Sequence, residues 1–235
     1  MEKRFSGGLN LLSNYTWSKM IDDVEAAAEA GGAPGSGQQS HYARHLDKGL
    51  SGNDLRHRWV SSLVYELPVG RGKALNLDSR VANFLIGGWS LGVISELRTG
   101  LPFGVVEQTN RLNAFSPAQR SSIAGDPELD PNRPRAELVR RYFNTSAFVF
   151  PGDGVLGTAG RAVGTGPGAI ELDTSVLKDF RFTEQRYLQL RGEFFSVLNR
   201  PNFGLPNTSR GAAAFGTIAS ASGARQIQIG LRFVY

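Results

Sequence analysis

Cysteine is absent from the chain, so no disulfide can frame the fold. That absence suits passage through an oxidising periplasm, where a stray thiol mispairs. Long apolar runs are missing too: nothing approaches the roughly 18 residues that a helix needs to cross a bilayer. A membrane location, if there is one, has to be reached with strands. The chain is instead rich in turn chemistry, with 29 Gly and 11 Pro among 235 residues. At 40% hydrophobic and 20% charged it is neither a disordered chain nor a helical membrane protein. The net charge of +5 and pI near 9.7 raise the question of nucleic acid. The basic residues do not cluster, however: Arg191 stands beside Glu193 and Arg181 beside Asp179. No recognition helix, zinc-finger spacing or aromatic RNA-binding strand accompanies them, so nucleic acid is not an expected partner.

Alternation with period two is the dominant pattern. From Arg225 to Tyr235, residues Ile227, Ile229, Leu231, Phe233 and Tyr235 share one face, and Gln226, Gln228, Gly230 and Arg232 share the other. A strand with one apolar and one polar face, ending the sequence on an aromatic residue, carries the signature of the last strand of an outer-membrane β-barrel. The pattern recurs in Phe5–Trp17, in Leu55–Leu67, in Trp89–Arg98, in Ile170–Phe182 and in Leu188–Phe194. The expected fold is all-β: an antiparallel transmembrane β-barrel segment of roughly six strands, part of a larger barrel, with long extracellular loops.

The connections alternate in length. Residues 20–54, 107–169 and 199–224 are long, polar and rich in Gly, Ala, Ser or Pro, whereas 68–86 and 183–186 are shorter. Up-and-down strands with external loops on one side and periplasmic turns on the other give this order. With Tyr235 at the periplasmic side, Tyr15, Trp17 and Trp59 fall near the outer interface. Phe5, Tyr65, Trp89, Phe182, Phe233 and Tyr235 fall near the inner one, giving the two aromatic bands that amphipathic rings at headgroup level form. The same alternation turns Arg56, Arg58, Glu66, Glu96, Arg98, Glu171, Asp173, Asp179, Arg181, Arg191, Glu193 and Arg232 toward the lumen. They form either a polar wall for a plug or solute, or cross-strand ladders that satisfy one another. Their mixed signs argue against a strongly ion-selective pore.

About eight strands is the practical minimum for closure, and an open sheet in lipid leaves two costly edges. Met1, Glu2, Lys3 and Arg4 run directly into a strand with no apolar secretion signal. The expectation is therefore a C-terminal part of a larger protein.

Several stretches resemble one family. Asn14-Tyr15-Thr16-Trp17-Ser18-Lys19 with Ile21-Asp22-Asp23, Asp54-Leu55-Arg56-His57-Arg58-Trp59 and Leu67-Pro68-Val69-Gly70-Arg71-Gly72-Lys73 are similar to segments of TonB-dependent receptors with an Oar-like β-barrel. So are Gly87-Gly88-Trp89, Arg98-Thr99-Gly100-Leu101-Pro102-Phe103, Tyr142 to Phe148, Arg191-Gly192-Glu193-Phe194-Phe195 and Asn199-Arg200-Pro201-Asn202-Phe203-Gly204, in the same order. The resemblance implies an outer-membrane protein with an N-terminal carboxypeptidase-regulatory-like domain and a plug on which the TonB complex pulls. Neither part is contained in these residues, so TonB is a partner only if a plug lies upstream. The other implied partners are outer-membrane lipid, the barrel assembly machinery through the C-terminal strand, and a bulky solute moved across the outer membrane. Tyr142, Phe143, Phe148 and Phe203 are the candidate loop contacts for that solute, or simply pack the loops together.

Other chemistry is thin. His41 and His45 are four apart but lie among Gly-rich flanks, without the Glu of a metalloprotease helix. Asp126, Glu128, Asp130 and Asn132 offer hard oxygens for calcium, interrupted by Pro127 and Pro131 and without EF-hand spacing. Gly70-Arg71-Gly72-Lys73 and the Gly164, Gly166, Gly168 series lack phosphate-loop and dinucleotide spacing and read as turns. No nucleophile elbow is present, so neither an enzyme nor a cofactor is expected. Two other readings compete with transport: a barrel that only anchors adhesive loops, and a soluble β-sandwich that binds carbohydrate.

Overall fold

The structure, a computed structural model, describes residues 2–4, 7–23, 38–40, 42–114, 116, 118–183 and 185–235, with residues 2–4 described by backbone alone. Its centre is one seven-stranded antiparallel sheet whose strands lie side by side in chain order. They are β1 (Glu2–Arg4), β2 (Leu9–Trp17), β3 (His57–Glu66), β4 (Trp89–Arg98), β5 (Ala169–Arg181), β6 (Tyr187–Phe195) and β7 (Gln226–Val234). The sheet is not closed, since β1 and β7 have no pairing with each other.

The stretch expected as one strand from Phe5 is divided. Arg4 pairs with Asn10 across a turn, so the long strand begins at Leu9, and Phe5 lies outside the described residues. Arg56 lies just before β3 and off the sheet, its guanidinium 3.5 Å from the Asp54 carboxylate. The expected turn near Thr183 is a tight hairpin in which Phe182 N–H donates to Arg186 O at 3.0 Å and Arg186 N–H to Thr183 Oγ1 at 3.0 Å.

Register fixes the two faces. Leu9, Leu11, Tyr15 and Trp17 align with Tyr65, Leu63, Trp59 and His57. Those continue into Leu91, Val93 and Leu97, then into Val176, Thr174 and Ile170. Phe194, Leu190 and Leu188 carry the row onward to Ile227, Leu231 and Phe233. This face is bare: Trp17 is 69% exposed, Ile229 73% and Leu231 69%. Hydroxyls that fall on it find each other. Ser13 and Ser61 Oγ atoms lie 3.0 Å apart, and Trp59 Nε1–H donates to Ser13 Oγ at 2.8 Å.

The long connections do not stay loose. The described parts of 18–56, 99–168 and 196–225 gather at one end of the sheet into a cap with its own core. Phe103, Val105, Phe143, Ala147 and Phe148 are buried there, with Tyr142, Val163, Leu205 and Phe215 packed against them. The rings meet edge-on or tilted, as their quadrupoles favour, with Phe143 centred 5.2 Å from Phe103, 5.6 Å from Phe148 and 5.3 Å from Phe215.

Backbone bonds stitch the connections to one another. Val106 and Glu107 run parallel to Ser209 and Arg210, and Tyr142 N–H reaches Gly216 O at 2.8 Å. A polar knot completes the cap. Gln39 Oε1 accepts from Gly157 N–H at 3.0 Å and from Arg120 N–H at 3.2 Å, while Arg120 meets the Asp47 carboxylate at 3.0 Å. A Cβ on Gly157 would stand 1.9 Å from Arg120 O, so only glycine allows that approach.

The connection after β3 holds an element that alternation alone does not reveal: helix α1 (Arg80–Ile86), capped by Ser79 Oγ accepting from Ala82 N–H. In the cap, a second short helix, α2, spans Arg135–Arg140.

Candidate functional site

The cap holds a half-open cavity of about 640 Å³, a size within the range of small-molecule sites. Three connected pieces of chain build it. Residues 127–143 give Pro127, Glu128, Arg133, Arg135, Leu138, Tyr142 and Phe143; the strap 163–168 gives Val163 and Pro167; and residues 200–203 give Arg200, Pro201 and Phe203. Each piece is held in place. Arg133 spends its guanidinium on the backbone, donating from Nε to Asp130 O at 2.8 Å, from Nη1 to Arg141 O at 2.9 Å and from Nη2 to Tyr142 O at 3.0 Å. Tyr142 O–H donates to Thr165 O at 2.9 Å, tying the strap to the wall. Burial pushes the Tyr142 phenol up to about 12, with Arg133 opposing the shift in part. Gly100 lets the strap close, since a Cβ there would lie 1.8 Å from Gly166 O.

The cavity's surface combines rings with cations. Phe103, Tyr142, Phe143 and Phe203 supply apolar wall, and the Arg135 guanidinium lies 6.0 Å from the centre of the Phe203 ring. Arg135 and Arg200 are exposed and have no ion pair among the described residues, and Glu128 is the one carboxylate on the lining. An apolar or aromatic group bearing a negative charge has complementary partners here. Of the four rings expected as contacts, Tyr142, Phe143 and Phe203 line the cavity. Phe148 does not: it is buried in the cap's core against Phe143 and Phe215. Phe103, Arg135 and Arg200 escaped the sequence reading, although Arg200 and Phe203 stand in the same short segment.

The charges expected to face inward share one side of the sheet. Arg58, Glu66, Glu96, Arg98, Glu171, Asp173, Asp179, Arg181, Arg191, Glu193 and Arg232 all have the register opposite to the apolar face. Most are paired. Arg58 grips Glu96 with two bonds of 3.0 and 3.1 Å, Lys73 meets Glu66 at 3.0 Å, Arg181 lies 3.6 Å from Asp179, and Arg191 bonds Glu193. Asp173 accepts from Ser196 N–H at 2.8 Å. Glu171 faces Glu96 across the ladder and has no ion pair among the described residues. Leu12, Val64 and Ile94 interrupt this polar side.

The aromatic residues sit in two rows on the apolar face. Tyr15, Trp17 and Trp59 lie near the cap, and Tyr65, Trp89 and Phe233 near the opposite end, where Phe182 and Tyr235 follow just beyond their strands. Tyr65 follows Trp59 by six residue steps of β3, about 20 Å along a strand.

The other candidates are used locally. His41 lies outside the described residues, and His45 sits in a one-turn 3₁₀ helix, Arg44–Asp47. Asp126 and Asp130 accept from the backbone N–H groups of Glu128 and Asn132 at 2.9 and 2.8 Å, as turn residues do.

An up-and-down antiparallel sheet with an exposed apolar face, two aromatic rows, and long and short connections segregated to opposite ends defines the class of outer-membrane β-barrel proteins. The chain matches the family described as outer membrane beta barrel domain over residues 1–228, and it belongs to that family. It is therefore a protein of the outer membrane. No curated protein and no solved structure matches it. The sandwich reading is set aside, because a second sheet would have to cover the face that stands bare.

Proposed function

We propose that the chain is the barrel portion of a TonB-dependent receptor-like transporter, in which the cap binds a bulky solute on its way across the outer membrane. In this reading the apolar face meets lipid and the polar face lines an aqueous interior, completed by further strands that satisfy the open edges of β1 and β7. The cap lies on the extracellular side, and β7 is the strand presented to the assembly machinery. TonB acts through a plug upstream. The chemistry is non-enzymatic. One observation carries the proposal: a preformed cavity with rings on its walls and, at its rim, two cations without ion pairs among the described residues, held at the end of the sheet to which the long connections run.

The test uses 1-naphthoate, an aromatic carboxylate, with the chain in detergent. Saturation-transfer NMR should show binding that Phe203→Ala and Arg135→Ala each weaken by about tenfold, equivalent to about 1.4 kcal/mol. Binding unchanged by both variants removes the cavity from the proposal. In the native host, solute accumulation that persists after loss of TonB removes the energy coupling and leaves a passive or anchoring barrel.

A further inference from the structure

The end of the sheet away from the cap carries a feature that neither the family nor transport requires. Helix α1 turns apolar side chains outward: Val81 is 69% exposed, Leu85 57% and Ile86 55%. A short helix on a water-washed surface normally packs such residues inward. Phe84, itself 38% exposed, meets the apolar face of the sheet. Its ring is centred 5.2 Å from Phe180 and 6.0 Å from Phe182.

Lys178 fixes the helix to that face. It is the one lysine in β5, and it occupies an apolar-face position opposite Trp89. A charged group there would be costly in lipid. Its side chain is 1% exposed: Nζ donates to Gly87 O, at the carbonyl end of α1, and lies 4.9 Å from the centre of the Phe180 ring. The ammonium thus meets free carbonyl density at a helix C-terminus while its stem lies along rings. On the other flank, Asn83 Oδ1 accepts from Arg71 N–H at 2.8 Å, anchoring the helix to the connector.

We infer that α1 is an interfacial anchor, lying in the headgroup region of the inner, phospholipid leaflet with Val81, Leu85 and Ile86 in the acyl boundary. The surface it offers continues the apolar face through Phe84, Phe180 and Phe182, at the level of the second aromatic row. Arg71 beside it and Arg80 in its first turn are exposed with no ion pair among the described residues, which suits anionic phosphates. The assignment rests on the proposed lipid contact of the apolar face.

Because the native chain has no cysteine, single labels report cleanly. Leu85→Cys, Leu231→Cys and Ala136→Cys, each carrying the NBD fluorophore, are reconstituted in phosphatidylethanolamine and phosphatidylglycerol vesicles with brominated lipids. Leu85→Cys should be quenched at least about twofold more by bromines near the carbonyls than by deep ones, matching an interfacial depth. Leu231→Cys, in mid-strand, should show the reverse, and Ala136→Cys, in the cap, should not be quenched. If Leu231→Cys is quenched while Leu85→Cys emits as in water, the anchor is overturned and the barrel stands. If neither is quenched, the lipid-facing assignment falls and takes the anchor with it.

Discussion

The sheet and the cap solve opposite solvation problems within one chain. In the sheet, Ile227, Ile229, Leu231 and Phe233 stand bare and most of the charged side chains gather on the other face, Lys178 being a sheltered exception. In the cap, Phe103, Phe143 and Phe148 are buried and so is a polar knot around Arg120. In the proposed reading the sheet's solvent on its apolar side is hydrocarbon, so its stability rests on backbone pairing and on keeping unsheltered charge off that side. The cap stands in water and holds together as a soluble domain does, by burying apolar surface. One consequence is that the same kind of substitution should do opposite things in the two regions.

The largest effects are expected in the cap. Phe143→Ala empties a site that is 4% exposed and ringed by Phe103, Phe148 and Phe215. It should cost about 3–5 kcal/mol, read by hydrogen exchange as loss of protection in residues 142–148 and 215–218. Protection lost equally in β3 to β6 would erase the division into two regions. Asp47→Ala leaves Arg120 buried without its carboxylate, and should cost about 3 kcal/mol in the same measurement. Burial already pulls Arg120 below its usual range, with Asp47 opposing that fall.

In the sheet the order of sensitivity inverts. Ile229→Arg, on the apolar face, should destabilise the chain in vesicles by about 2–4 kcal/mol, whereas Gln228→Arg, one residue away on the polar face, should leave the unfolding midpoint nearly unmoved. Equal costs at the two positions would contradict the assignment of faces.

The smallest effect sharpens the description of the cavity wall. The Tyr142 phenol is raised in the folded state from 10.0 to about 12, so its contribution is fully present below the ordinary tyrosine range. It is lost as pH climbs from about 10 through about 12. Tyr142→Phe should flatten the cap's stability curve across that window. It should also remove the tyrosine that titrates at about 12 from an absorbance titration.

The two regions also differ in how legible they are. β3 to β7 follow the alternating pattern to within a residue or two, because a half-buried strand leaves a period of two whichever solvent covers its apolar side. The cap leaves no such trace. Phe103, Phe143 and Phe215 meet across more than a hundred residues of chain, and each sits in a short irregular segment whose apolar residues have no period. The cavity rims, Arg135 and Arg200, are illegible for the same reason. Helix α1 did leave a signal, Ser79 followed by Val81, Phe84 and Leu85 at helical spacing, hidden inside a connection that looked like an intermediate turn. Lys178 was missed because it breaks the alternation at one position only, and its partner, the Gly87 carbonyl, is 91 residues away.

The stitching of the cap sets a rule for its biogenesis. Phe215 and the 209–210 segment come from the last long connection in the chain, while Gln39 comes from the first long one, between β2 and β3. No intermediate with fewer hairpins can shelter those rings, so in the proposed orientation the cell surface would meet a finished lid only once the final hairpin has been threaded.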